Sequence, residues 1–487
     1  MWSPLSNKLV NCRSAVNDRS GAATAAGAVC YGGDVLGEIV QVPSTDVTTP
    51  NGSAKRRPPY GANPSLGASG NRARAEILSA ARELFGEAGY HGVTVDQIAQ
   101  RAGRSGPAVY QYFENKEEIF RIFVDELGAE LIAHAKTAGA VVGPDGFDAL
   151  RRFIGGLSAL FQKHRVTAIE WPSAEAADQQ LLTPAEAFLH RFAEEVRPRL
   201  GLSTVATGHD TLRSVPMAML SIVQWAEYTR AARSPELTPQ RLNDSLARLF
   251  YGVITHAGHT DNLAVAARDH SKGGPGILLS NPGSPMAGLR RPVTLRNRPT
   301  VERILHAATQ VFARKGYAGS NIQQIAEQAQ VGKPSVYTYW TDREALFSTL
   351  AGRASVALQR VLSHDVAAEV LSSGEGGSQW LDEWIDLVVQ HGAVLHIWTH
   401  ETALDGTALG ALAEQMTAFV TDRLTALVPG PQPEGHNPVP VLLWALLVEF
   451  PYTMSVQLPE LERAELRELL QHMIHFGLPA IREETAV

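Results

Sequence analysis

The chain has 487 residues, of which 44% are hydrophobic and 19% charged, and it carries a formal net charge of −7 at pH 7. That length accommodates two or three domains, and the charge excludes a chain-wide polyanion-binding surface while leaving room for local basic faces. Cys12 and Cys30 are the only cysteines, so neither a disulfide framework nor a Cys-ligated zinc is expected.

Residues 1–70 are rich in Ser, Gly, Ala, Asn and Pro without sustained periodicity and read as a disordered tail. Lys55, Arg56 and Arg57 near its end could reach a DNA minor groove; a solvated tail is the simpler reading. An amphipathic helix is expected over residues 73–87, with Ile77, Ala81, Leu84 and Phe85 on one face. Thr94 then caps a second helix while Gln97 reaches back to it, and Val95, Ile98, Ala99 and Ala102 fall at i, i+3, i+4 and i+7. Gly103 and Arg104 turn the chain, Ser105 caps again, and Pro107 sits in a first helical turn where its missing N–H does no harm. Val109 and Phe113 hold this short helix inward, which leaves Gly106, Ala108, Tyr110 and Gln111 outward. A longer helix follows over residues 116–138, and helical patterns continue through 147–163, 184–200, 215–232 and 238–255 with no strand alternation. Residues 259–297, with Gly273-Gly274-Pro275-Gly276, Pro282-Gly283 and Pro285, read as a flexible linker with a root-mean-square span of roughly 35 Å.

Beyond the linker the plan is written again. Residues 77–120 align without a gap on residues 304–347 at an offset of 227, and 18 of the 44 pairs are identical. Asn321 with Gln324 repeats the cap, and Ile322, Ile325, Ala326 and Ala329 repeat the apolar face. Val331 and Gly332 occupy the turn, while Val336 and Trp340 anchor a second short helix whose outward residues are Lys333, Ser335, Tyr337 and Thr338. The register persists through Trp171 with Trp398 and Phe192 with Phe419. At an offset of 224 it then pairs Pro216 with Pro440 and Tyr228-Thr229 with Tyr452-Thr453. Two copies of one unit therefore fill the chain.

Each copy resembles the TetR family of transcriptional regulators. The resemblance is carried by Ile77 to Tyr90, the capped helix from Thr94, Ser105 to Phe113 and Asn115-Lys116-Glu117. In the second copy it is carried by Ile304 to Tyr317, Asn321 to Ala329, Gly332 to Trp340 and Asp342-Arg343-Glu344. The two blocks cover roughly a fifth of the chain, each about the length of a three-helix DNA-binding domain. Two departures stand out: the family commonly has a lysine where Gly106 stands, and a serine cap at Gly332. The resemblance implies an all-α protein of two tandem units, each a helix-turn-helix domain followed by a helical regulatory bundle with a small-molecule pocket. The divisions expected are a tail over 1–70, DNA-binding domains over 71–120 and 298–347, regulatory domains over 121–258 and 348–482, and the linker over 259–297.

Since such proteins pair through their last two helices, the halves are expected to form an intrachain pseudo-dimer, its tether giving an effective concentration around the millimolar range. Base edges would be met by Arg104, Gly106, Ala108 and Gln111 in one copy and by Lys333, Ser335 and Thr338 in the other. Phosphates would be met by Thr94, Tyr110, Tyr112, Lys116, Asn321, Tyr337, Tyr339 and Arg343, with packing beneath the short helix an equal reading for Tyr112 and Tyr339. Because the groove-facing positions differ, an operator with two dissimilar half-sites is expected. An effector of unknown chemistry would be lined by Trp171, Gln224, Trp225 and Tyr228, or by His396, Trp398, His400, Trp444, Glu449 and Tyr452.

His396 and His400, spaced i, i+4 and followed by Glu401, lack a complete HExxH, and no metal or other cofactor is assigned. No GxSxG elbow, phosphate-binding Gly-rich loop with its lysine or folded Cys nucleophile points to an enzyme. A helical interaction protein that has lost DNA affinity in one or both reading heads is the alternative. With no run of about 20 apolar residues and no signal peptide, a cytoplasmic location is expected.

Overall fold

A computed structural model describes residues 67–141, 143–175, 179–202, 211–256, 287–363, 375–400, 406–428, 437–457 and 461–481. Most of the N-terminal tail, including Lys55, Arg56 and Arg57, lies outside the described residues, as do residues 257–286 of the linker region and Glu401. Among the described residues the regular structure is helical, apart from one isolated antiparallel bridge between Leu289 and Trp340.

The first head is α1 (Ala68–Gly92), α2 (Val95–Arg101) and α3 (Gly106–Val109). Thr94 caps α2 in a complete capping box: its hydroxyl accepts from Gln97 N, and Gln97 Oε1 accepts from Thr94 N at 2.8 Å. α4 (Lys116–Ala135) leads into the regulatory bundle of α5 (Gly146–Lys163), α6 (Arg165–Glu175), α7 (Gln179–Val196), α8 (Val215–Arg233) and α9 (Pro239–Thr255). α6 is an addition to the periodicity reading. Its 11 residues carry too few apolar positions to announce a face, and it is held by packing on α1, α4 and α7.

The second head is α10 (Arg298–Lys315), α11 (Ile322–Gln328) and α12 (Lys333–Tyr337), joined by α13 (Arg343–Val361) to α14 (Glu375–His400) and α15 (Ala408–Thr425). α16 (Val439–Trp444) passes through a π-helical turn (Ala445–Glu449) into α17 (Phe450–Gln457). α18 (Arg463–His472) passes through another (Met473–Gly477) into α19 (Leu478–Ala480). Asn321 and Gln324 form the matching capping box.

The linker expectation is corrected at its end. Residues 287–297 pack on the second head: Arg290 N donates to Tyr339 O at 2.8 Å, Thr349 Oγ1 donates to Ala287 O, and Leu289 lies against the core. A Cβ on Gly288 would stand 1.9 Å from Ala345 O, so the strap approaches α13 as only glycine allows. Hydrophobic packing also treats the heads differently. Ile77, Phe85, Ile98, Val109, Phe113 and Phe120 belong to a core of their own, whereas Ile304, Phe312, Ile325, Val336 and Trp340 are continuous with the core of the regulatory bundles.

All described residues fall within one unit. Within it α8 lies against α16, α17 and the π-turn between them, and α9 lies against the Met473–Gly477 turn and α19. Trp225 Nε1 donates to Thr453 Oγ1 at 2.8 Å, and Arg233 donates to Trp398 O at 3.1 Å. A Cβ on Gly252 would sit 2.3 Å from Phe476 O, so the two backbones approach closely there.

Candidate nucleic-acid interface

Each reading helix projects from a two-helix platform by burying one residue, Val109 in α3 and Val336 in α12. The opposite sides carry Gln111, Lys333 and Thr338 in the open, with Tyr110 and Tyr337 at 38% and 39% exposure. Gly106, Ala108 and Ser335 are half-buried at the same faces, and Thr94 and Asn321 are exposed at the caps of the preceding helices. Tyr339 is buried and Tyr112 half-buried, so packing under the short helix accounts for Tyr339 and for part of Tyr112.

Electrostatics separate the two faces. In the first head Arg104 turns back to Glu76 at 2.6 Å, and Arg101 pairs with Glu87 at 2.7 Å and with Glu83 at 3.4 Å. The hydrogen bond from Arg104 holds the Glu76 carboxyl below the usual carboxylate range. Asp96 leans over the start of α3, its Oδ1 lying 2.6 Å from where a Cβ on Gly106 would be. The second head has Gln323 at the equivalent position, and among the described residues Lys333, Arg298 and Arg303 enter no ion pair. Glu302 of α10 pairs with Arg353 of α13 at 2.7 Å.

Lys116 and Arg343, expected at phosphates, point inward. Lys116 Nζ donates to Tyr90 O at 2.8 Å and Val93 O at 3.0 Å and lies 4.3 Å from the Tyr90 ring centroid. Arg343 donates to Tyr317 O and Ser320 O, both at 2.7 Å, with its guanidinium 4.2 Å from the Tyr317 ring centroid. Both cations thus close the loop between the first two helices of their head. Burial pushes the Lys116 ammonium below its ordinary pKa. The sequence showed a cation after a cap; the carbonyls that claim it are 23 and 26 residues earlier.

The heads also touch. His91 Nε2 lies 2.9 Å from Arg314 O, α6 packs on both α1 and α10, and Glu170 of α6 accepts from Tyr90 N at 2.6 Å.

A match to the model of bacterial regulatory proteins of the tetR family covers residues 77–121 and again 304–350. The HTH-type transcriptional repressor SCO4008 of Streptomyces coelicolor is 31% identical over 169 residues, which is 34% of this chain and 82% of that protein. The chain belongs to the TetR family. It is a DNA-binding transcriptional regulator with the family's DNA-binding helix-turn-helix occurring twice, and the family is not one of enzymes. Similarity to other TetR-family members is more local: the transcriptional activator FasR of Mycolicibacterium smegmatis is 47% identical over 47 residues, 10% of this chain and 22% of that one. The class A tetracycline repressor of Escherichia coli is 30% identical over 122 residues, 23% of this chain and 53% of the repressor. No helix among the described residues is long and apolar enough to cross a membrane.

Seven of the ten residues expected at an effector site line three separate cavities. Trp398 and Trp444 line one of about 500 Å³, together with Thr417, Asp422 and, from the first half, Thr229 and Arg233. Gln224, Trp225 and Tyr228 line a narrow one of about 30 Å³ beside Arg165. Tyr228, His396 and His400 border a third, of about 530 Å³, that reaches Gly89 of one head and Gly316 of the other. Trp171 lies outside these linings and packs on Phe188 at 5.7 Å. Glu449 and Tyr452 are neighbours of the two histidines: Glu449 accepts from both rings, and the Tyr452 ring is 5.9 Å from that of His396. Burial, with the Glu449 charge adding to it, raises the Tyr452 hydroxyl pKa.

Proposed function

We propose that this TetR-family protein is an effector-responsive repressor that works as a single-chain pseudo-dimer on an operator with two dissimilar half-sites. One observation carries the reading. The two reading faces differ in charge as well as in identity: among the described residues Lys333 on α12 enters no ion pair, while Asp96 overhangs α3 and Arg104 is held by Glu76. Lys333 is suited to guanine O6 or N7, and Gln111 to adenine. The second head supplies most of the phosphate attraction, and the first contributes weaker, more neutral readout. Repression is favoured because most of the relatives, SCO4008 and the tetracycline repressor among them, are repressors by name.

Intrachain pairing is supported by the contacts of α8 and α9 with residues 439–480, since both are terminal helix pairs of their units. An effector of drug-like size suits the cavity of about 500 Å³. There Arg233 from one half and Trp398 and Trp444 from the other would meet the same molecule, so binding would alter how the halves, and with them the heads, are set.

The test is selection of bound sequences by the full chain, followed by footprinting. Two unlike half-sites are expected. Lys333→Ala should cost about 1–3 kcal/mol, a loss of roughly 5- to 150-fold, and relax specificity in one half-site alone. A perfectly palindromic operator weakened equally in both halves would overturn the reading. Light scattering at low concentration should return one chain per particle.

A further inference from the structure

Glu449 closes the π-helical turn (Ala445–Glu449) and is fully buried. A π-turn shifts the helical register by one residue, a distortion frequent at functional sites, and here it directs a carboxylate into the protein. His396 Nδ1 lies 2.9 Å from Oε2, and His400 Nε2 lies 2.8 Å from Oε1, where Trp444 Nε1 also donates at 3.1 Å. The histidines are one turn apart on α14. Trp225 and Tyr228 of the first half cover them, with Trp225 5.0 Å from the His396 ring and Tyr228 4.4 Å from the His400 ring.

A carboxylate this deep requires a positive partner. Among the described residues the Nδ1 of His400 has no hydrogen-bond partner. It is unsatisfied in either tautomer, so moving the ring proton from Nε2 to Nδ1 strands no additional group, and Nε2 can exchange hydrogen-bond donation for ligation.

We propose that His396 Nδ1, His400 Nε2 and a carboxylate oxygen of Glu449 form a site for a divalent transition-metal ion of the zinc class. The three ligand atoms lie within 4.8 Å of one another. Zinc–ligand bonds of about 2.1 Å place tetrahedral ligand atoms roughly 3.4 Å apart, so admitting the ion opens the hydrogen-bonded N–O pairs and draws the wider ligand separations, which reach no more than 4.8 Å, together around it. Two imidazoles and one carboxylate suit zinc, cobalt or nickel, whereas calcium and magnesium take oxygen ligands. Both histidines border the cavity between the heads, leaving the fourth coordination position for water or a small anion on that side.

This site stands or falls independently of the operator. The experiment uses the full chain, stripped of metal with a chelator and titrated with Co²⁺ while visible absorption is recorded, and with Zn²⁺ in competition. The expected result is one equivalent of Co²⁺ with the intense ligand-field bands of a four-coordinate ion, displaced by Zn²⁺. In His396→Ala and Glu449→Gln the affinity should fall roughly tenfold or more while helical circular dichroism is unchanged. His396 is part-exposed, so its variant retains the fold even where a change at Glu449 does not. Absence of the bands in the natural chain, or bands of undiminished affinity in the folded His396→Ala variant, would overturn the proposal.

Discussion

At the turn between the second and third helices of each head, one residue adopts left-handed backbone angles. In the first head this is Gly103, at φ 66°, and in the second it is Gln330, at φ 53°. Glycine occupies that region without steric cost, whereas a residue with a Cβ is disfavoured by about 1–2 kcal/mol. Gln330→Gly should therefore stabilise the second head by up to about 1 kcal/mol and Gly103→Gln should destabilise the first by a similar amount; denaturant melts of the full chain check both. Lys116 is another single-residue control point. Its ammonium serves two carbonyls and one aromatic face, and hydrogen bonds to charged groups contribute about 1.5–3 kcal/mol. Lys116→Met should loosen the first head by about that much. DNA affinity should then fall because the head opens, with the salt dependence of binding nearly unchanged, since the side chain points inward and meets no phosphate.

The reading heads differ as elements. The first has a core of its own, while the second shares the core of the bundles and is strapped by residues 287–297, with Trp340 Nε1 donating to the buried Thr349 hydroxyl at 2.8 Å. Phe113 and Ile122 hold these places in the first copy, where no such hydrogen bond can form. Local opening follows the number of buried contacts that must be broken. Amide exchange should accordingly show residues 95–113 opening at lower free energy than residues 322–340, and equal protection in both segments would contradict this. The capping boxes are closely matched, so Thr94→Ala and Asn321→Ala should each cost about 1 kcal/mol.

The seam between the halves sets the behaviour of the whole molecule. Gly252 meets the backbone of Phe476, and His256 stacks on the Phe476 ring at 5.3 Å. Gly252→Val should force α9 and the terminal helix apart, and light scattering should then register association between chains. His472 lies beside this seam, and burial, with His475 and His256 adding to it, depresses its pKa to about 4. A depressed histidine takes up its proton more readily in the unfolded chain. Its contribution to stability is therefore complete above about pH 6.5 and is lost as pH falls from there towards about 4. Melting temperature should decline over that window, and His472→Phe should flatten the decline.

The repeat follows from the self-similarity of the sequence, and most of the helices, though not α6, and both capping boxes follow from it because each depends on residues within a turn or two of one another, where spacing implies contact. The buried Glu449 among His396, His400 and Trp225 does not, since its partners are 49 and 53 residues away or in the other half. Nor does the engagement of Arg104 by Glu76 and of Lys116 by Tyr90 and Val93, which turns nominal DNA-facing cations into internal struts. Only the tertiary structure decides such pairings, because a charge is available to DNA or to a ligand only if folding has brought no nearer partner to it.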